Sequence, residues 1–106
     1  MRRKVIFIYP DDVVVVDDLD NVFERAIDSN PILIGSLVGK YGLEKAKRIV
    51  GFMMELGNFF IEKSGKTVVS LDLVIELAKQ WEVSDLIKDE LINLFLSKFG
   101  VEVYET

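Results

Sequence analysis

The stretch KVIFIYPDDVVVVDDLDN, Lys4 to Asn21, decides the fold, because two short apolar runs are separated by turn-forming residues and followed by a helix start. Lys4–Tyr9 and Val13–Val16 are rich in β-branched and aromatic residues, and Pro10-Asp11-Asp12 between them is typical of a turn. The pattern predicts a β-hairpin. Both strands are apolar on both faces, which favours strands that are covered on both sides. In so small a protein, we expect the second cover to come from another subunit.

The residues after the hairpin are predicted to form two short helices. Asp18 or Asp20 can cap the first. Asn30-Pro31 marks the start of the second, which covers Ile32–Tyr41 and ends at Gly42. We interpret the glycines of GSLVGKYG, which starts at Gly35, as positions of close helix packing or of a bend.

The longest helical pattern runs over Leu43–Lys63 and is apolar around most of its circumference. Its solvent-facing side is predicted to carry three charged residues at intervals of seven positions, Arg48, Glu55 and Glu62. A helix this apolar lies at the centre of a fold or in an interface. Ser64-Gly65 is predicted to end it.

The last third of the chain predicts one extended segment, two helices and a strand. Lys66–Val69 is extended, Ser70 caps a helix that reaches Trp81, and Ser84 caps a last helix that Gly100 stops. Val101–Tyr104 is a final strand that can pair with the hairpin in a small antiparallel sheet. The sequence therefore predicts a single domain over residues 1–106, α+β and mostly helical, with an N-terminal hairpin, four or five helices and a C-terminal strand.

Composition bounds the function of this 106-residue chain, which is 50% hydrophobic and 29% charged. It has no cysteine and no histidine, so the most reactive nucleophile and the commonest general base are both missing. We expect a cytoplasmic protein that is not an enzyme, with no cofactor, no metal and no membrane association. Its Val, Ile, Glu and Lys content is typical of thermophilic proteins.

Two short motifs are similar to ligand-binding sites. VVVVDDLDN resembles the first strand of response-regulator receiver domains, whose strand-end acids help to bind magnesium. A receiver also needs five parallel strands, whereas residues 19–64 predict helices. Asp17, Asp18 and Asp20 are therefore interpreted as cap or solvent residues, and a magnesium-dependent carboxylate enzyme is a minor alternative. KSGKT resembles the end of a phosphate-binding loop, but Phe60 stands where that motif requires glycine.

Residues 43–105 resemble a winged helix-turn-helix domain, on the segment GKTVVSLDLVIELAKQWEVSDLIKDELINLFLSKFGVEVYE. The resemblance implies two crossing helices, Leu71–Trp81 and Ser84–Phe99, and a wing that starts at Val101. Glu82 stands where such turns usually have glycine. The last forty residues hold eight acids and three bases. Helices that bind DNA are normally basic, so these residues favour a protein partner.

The best-supported function at this stage is a non-enzymatic protein–protein interaction module or small complex subunit that forms a homodimer or a stable complex with another protein. Its predicted interface is either the face of the sheet or the side of the long helix that bears Phe52, Met54 and Phe59. The alternative is a winged-helix DNA-binding regulator. Its predicted nucleic-acid contacts are Arg2, Arg3, Lys4, Lys40, Lys45, Lys47 and Arg48.

Overall fold

The computed structural model describes residues 3–87, 96–97 and 99–105. Within these residues it has four α-helices and five strands, which confirms the predicted α+β class, the N-terminal hairpin and the C-terminal strand. The elements are β1 Lys4–Ile8, β2 Val14–Asp18, α1 Leu19–Ser29, α2 Pro31–Tyr41, α3 Leu43–Leu56, β3 Ile61–Lys63, β4 Lys66–Ser70, α4 Leu71–Gln80 and β5 Val101–Tyr104. Contacts divide the chain into two compact units, residues 1–58 and 59–106. The single domain stays a prediction.

The first unit begins with the hairpin of β1 and β2. The strands are antiparallel, and Ile6 lies opposite Val16 in their register. The connecting loop is closed by a hydrogen bond of 2.9 Å from the Tyr9 N–H to the Val13 carbonyl. Asp12 adopts a φ of 66° there, a conformation that aspartate tolerates better than most residues.

Three helices complete the first unit and cover one face of the hairpin. Helices α1, α2 and α3 pack on one another, and α1 and α3 also contact β1. Pro31 begins α2, and Gly42, with a φ of 86°, ends it as predicted. The large side chains of this core are Val5, Val22, Phe23, Leu37, Ile49, Phe52 and Leu56.

The glycines inside α2 do not mark close packing. A Cβ added at Gly35 or at Gly39 would meet no atom within 4 Å. Of the two predicted roles for these glycines, close helix packing is therefore wrong, and a bend stays a prediction.

The long helical pattern ends earlier than predicted. Helix α3 stops at Leu56, and a short 3-10 turn over Gly57–Phe59 leads into β3. Ser64 and Gly65 have φ angles of 55° and 77°, which is the geometry of a two-residue type I′ hairpin turn. Ser64-Gly65 therefore connects β3 to β4 and does not end a helix. The KSGKT segment is the tip of this hairpin.

The second unit is built on a three-stranded sheet in the order β3-β4-β5. Strand β3 is antiparallel to β4, whereas β5 is parallel to β4, with Val101 opposite Thr67. The predicted pairing of the C-terminal strand with the N-terminal hairpin is wrong, because β4 takes up this strand instead. Its pairing buries Val101 and Val69 together. Helix α4 packs on β4, and the predicted inward residues Val74, Leu77, Ala78 and Trp81 are all buried.

The predicted last helix lies mostly outside the described residues. Ser84–Leu86 forms a 3-10 turn, and residues 88–95 and 98 are not described. Glu82, at the turn position where winged helices usually have glycine, has a φ of 58°. The winged-helix resemblance itself stays a prediction.

Candidate interaction surface

The outer face of the N-terminal hairpin is apolar and uncovered. Cross-strand partners share a face, so Ile6 lies beside Val16 and Ile8 beside Val14. These four side chains are 42% to 57% exposed. Val5, on the opposite face, is completely buried against the helices. The sequence predicts strands that are covered on both faces. In the structure, the helices of the first unit cover one face of the hairpin and leave the other exposed.

The free edge of β1 is closed by two side chains from the end of α3 and the turn after it. The Ile6 N–H donates to Glu55 Oε2 at 2.9 Å. The Ile8 N–H donates to Asn58 Oδ1 at 3.1 Å, and Asn58 Nδ2 donates to the Ile6 carbonyl at 2.7 Å. The Asn58 amide thus takes the place of a neighbouring strand, and it leaves β1 little capacity to pair with another chain.

Glu55 and Asn58 were not identified from the sequence. The sequence predicts Glu55 on the solvent-facing side of the long helix, but its side chain is buried, so that prediction is wrong. It is buried because it accepts a backbone hydrogen bond from a strand that lies 49 residues away in the chain. Neither residue belongs to a motif, so no local signal indicated this role.

The free edge of β2 is open. The Tyr9 N–H bonds to Val13, and the Leu19 N–H bonds to Arg3, so the odd-numbered residues face across the hairpin. The backbone groups of Val14 and Val16 therefore point outward. Within the part of the chain that the structure describes, no hydrogen bond reaches them. At the next outward position, the Asp18 N–H donates to Asp17 Oδ1 at 2.8 Å.

The acids that follow the valines form ion pairs. Asp17 Oδ2 lies 2.8 Å from an Arg25 guanidinium nitrogen, and Asp17 Oδ1 also accepts a hydrogen bond of 3.3 Å from Asn21 Nδ2. Asp18 occupies the N-cap position of α1, but its side chain makes no cap hydrogen bond and pairs with Lys4. The predicted capping by the Asp18 side chain is therefore wrong. Among the described residues, no three acidic side chains converge as metal ligands would.

The ion pair of Asp17 predicts a small pH dependence of stability. Hydrogen bonds from Arg25 and then Asn21 lower the pKa of Asp17 below its ordinary value of 3.8. A lowered folded pKa stabilises the fold above the unfolded pKa, and this contribution is lost as the pH falls through the folded value. Asp17→Asn is thus expected to lower the melting temperature slightly at pH 7 and by less at pH 2. The effect is small because the pair is exposed.

The measurement for Asp17 is thermal unfolding at both pH values, with and without magnesium. Asp28→Asn, which removes another exposed acid from the first unit, is the control. Magnesium is expected to change none of the melting temperatures. A magnesium-dependent rise that disappears in Asp17→Asn would show that these acids bind the metal.

The structure does not bring the three predicted interface residues of the long helix to one surface. Phe52 is 1% exposed and belongs to the core, so it cannot line an interface. Met54 is 37% exposed, and residues two apart on a helix do not face the same side. Phe59 is half-buried in the 3-10 turn beyond α3. An interface role for Met54 and Phe59 stays a prediction.

The predicted nucleic-acid contacts are dispersed, and several have acidic partners. Lys4 pairs with Asp18, and Lys47 Nζ lies 3.0 Å from Asp20 Oδ1. Lys40 and Lys45 place their ammonium groups 5.4 and 5.7 Å from the Tyr41 ring centroid.

The two arginines of this group within the described residues, Arg3 and Arg48, lie on different elements. Arg3 directly precedes β1, whereas the lysines near Tyr41 lie on α2 and α3. Arg48 is half-buried on α3, and its Nε atom has no hydrogen-bond partner. Arg2 lies outside the described residues.

Comparison of this chain with protein-family models, with curated proteins and with solved structures finds no match in any of the three. Among the helices of the described residues, none is both long and apolar enough to span a membrane.

Proposed function

We propose that this chain is a non-enzymatic protein–protein interaction module, or a small complex subunit, that associates with a second copy of itself through its N-terminal hairpin. The observation that carries the proposal is the uncovered outer face of the hairpin, with Ile6, Ile8, Val14 and Val16 side by side. Scattered exposed apolar side chains are ordinary on protein surfaces, whereas a contiguous apolar patch is typical of an interaction site.

The size of this surface is that of a weak to moderate association. The four side chains of the outer face present an uncovered apolar area of roughly 350 Å². Two copies that meet through this face would bury roughly 700 Å² of it, which is below the size of standard protein interfaces and in the range of weak ones. A closed pair related by a two-fold axis is the commonest arrangement for such a surface. The proposed location is the cytoplasm.

Lysines placed on this face test the proposal. The variant Val14→Lys/Val16→Lys puts like charges across a two-fold interface, whether the copies meet through the face or through the edge. Light scattering at micromolar concentration is expected to give about twice the chain mass for the unchanged protein and the single mass for the variant. Because both valines are more than half exposed, the variant is expected to keep its fold, which far-UV circular dichroism checks.

The matched control is Ile32→Lys/Leu43→Lys, which adds the same charge at two exposed apolar positions of the same unit, away from the hairpin. It is expected to keep the doubled mass. A single chain mass for the unchanged protein at all concentrations would refute self-association. Loss of the doubled mass in the control as well would mean that added charge, rather than the hairpin, decides association.

The alternative function, a winged-helix DNA-binding regulator, is supported only by the two ammonium groups gathered around Tyr41. The acidic partners of Lys4 and Lys47 argue against DNA binding, because a cation that is already paired contributes less to phosphate binding. The net charge of −5 also repels a polyanion. A magnesium-dependent carboxylate enzyme has less support, because Asp17 and Asp18 are held by basic side chains.

A further inference from the structure

The two edges of the N-terminal hairpin differ in what they offer to another chain. On the β1 edge, Glu55 and Asn58 bind the N–H and carbonyl of Ile6 and the N–H of Ile8. The β2 edge presents the N–H and carbonyl groups of Val14 and Val16, which no described residue binds, beside an exposed apolar face. Unpaired groups on an edge of β-branched residues are a ready template for an added strand. Strand addition is therefore favoured at one edge of the hairpin.

We infer that a second copy of this chain pairs its β2 with the β2 of the first in antiparallel orientation, so that Val14 of each copy lies opposite Val16 of the other. The result is a four-stranded sheet whose two inner strands are the two β2 strands. This inference rests on the proposed self-association and specifies how it occurs.

The register follows from which backbone groups are free. Strand β2 has three outward positions, but the Asp18 N–H is already bonded to Asp17. Only Val14 and Val16 remain, and an antiparallel pair centred on Val15 matches them to each other. Each N–H of these two residues then meets a carbonyl of the partner copy. A shift of the centre by one residue in either direction leaves one of these positions opposite a residue that has no free N–H or lies in the loop.

The charges of β2 favour the antiparallel orientation with a second copy. Asp17 and Asp18 lie at one end of the strand and the valines at the other. Parallel, in-register pairing would place the acids of both copies next to each other, and like charges directly opposite are destabilising. Antiparallel pairing separates the Asp17 and Asp18 of one copy from those of the other. It brings Asp18 near the turn residue Asp12 of the other copy, and the ion pair of Asp18 with Lys4 offsets this repulsion.

Amide hydrogen exchange followed by NMR tests this pairing in the unchanged protein. In the dimer, the amides of Val14 and Val16 are expected to exchange at least ~10-fold more slowly than in dilute, dissociated protein. The Val15 amide bonds within the hairpin and is expected to be protected under both conditions. A dimer in which Val14 and Val16 exchange as in the dissociated protein would overturn the pairing but leave self-association intact. A monomer at every concentration would overturn both.

Single cysteines give a second measurement, which is clean because the chain has none of its own. Val15→Cys would lie opposite itself in a pair without mutual hydrogen bonds, at a Cα separation that permits a disulfide. Mild oxidation is expected to link most of this variant into covalent dimers. Ile8→Cys is the control, because Ile8 is similarly exposed but lies on the outer strand of the joined sheet. Efficient linkage of Ile8→Cys with none of Val15→Cys would show that the outer faces pack on each other instead.

Discussion

Phe52→Ala is expected to lower the free energy of unfolding by about 3–5 kcal/mol, the usual cost of deleting a buried aromatic side chain. Phe52 is 1% exposed and lies on α3, which α1, α2 and β1 all contact. The loss has two parts: the apolar burial of the ring and the cavity that remains. A loss of this size is a large fraction of the stability of a chain of this length.

Urea denaturation followed by far-UV circular dichroism measures the effect of Phe52→Ala. Met54→Ala on the same helix is the control, and we expect a cost below about 1 kcal/mol because its side chain is 37% exposed. All variants are compared at one protein concentration, since association adds to apparent stability. Equal stability of the two variants would contradict the placement of Phe52 in the core.

The Phe52 variant also tests whether the chain unfolds as a single domain. The only tryptophan, Trp81, is buried in the second unit, so its fluorescence reports on that unit. If both units unfold together, fluorescence and circular dichroism give coincident transitions that shift equally. A fluorescence transition that stays in place while the dichroism transition moves would show two independent units.

Glu55→Ala is expected to cost about 1–3 kcal/mol, because it leaves the Ile6 N–H of β1 without its acceptor. Glu55→Gln is the matched control, since its amide oxygen can still accept the hydrogen bond, and we expect it to retain most of the stability. The measurement is the same urea titration. An alanine variant as stable as the glutamine variant would show that this hydrogen bond contributes little.

Local signals in the sequence were sufficient for the hairpin and for α2. The turn residues Pro10-Asp11-Asp12 separate β1 from β2, and Pro31 and Gly42 bound α2. Each of these signals acts through the backbone of the residue itself or its neighbour: proline fixes φ at a helix start, and glycine accepts the positive φ at a helix end.

The end of α3 could not be placed by the same reasoning. Apolar residues continue past Leu56, and Ser64-Gly65 is compatible with either a helix end or a hairpin turn. The choice between them depends on pairing of β3 with β4, which a helical periodicity argument does not consider. The position of β5 was missed for a related reason, because strand order is set by which edge gains the most burial and not by the strand's own residues.

The sequence predicts the apolar outer face of the hairpin but not how it is covered. The doubly apolar strands indicate a second cover, and in the structure one face of the hairpin is exposed, so its cover by another chain stays a prediction. The closure of the β1 edge could not be predicted, since Asn58 reaches Ile8 across 50 residues of sequence. The burial of Phe52, one of the three residues of the predicted helix interface, could not be predicted either. It depends on which elements surround α3, and the sequence of α3 alone does not determine this.

The blocked β1 edge determines the valence of the hairpin, which is the number of further strands that it can pair with. With Glu55 and Asn58 in place, the hairpin keeps one edge for pairing, so an assembly built by pairing of hairpins is complete at two copies. A copy with both edges free would have valence two, and head-to-tail addition would then continue without limit into fibrils. Glu55 and Asn58 thus prevent the repeated strand addition that would otherwise build a polymer from these valine-rich hairpins.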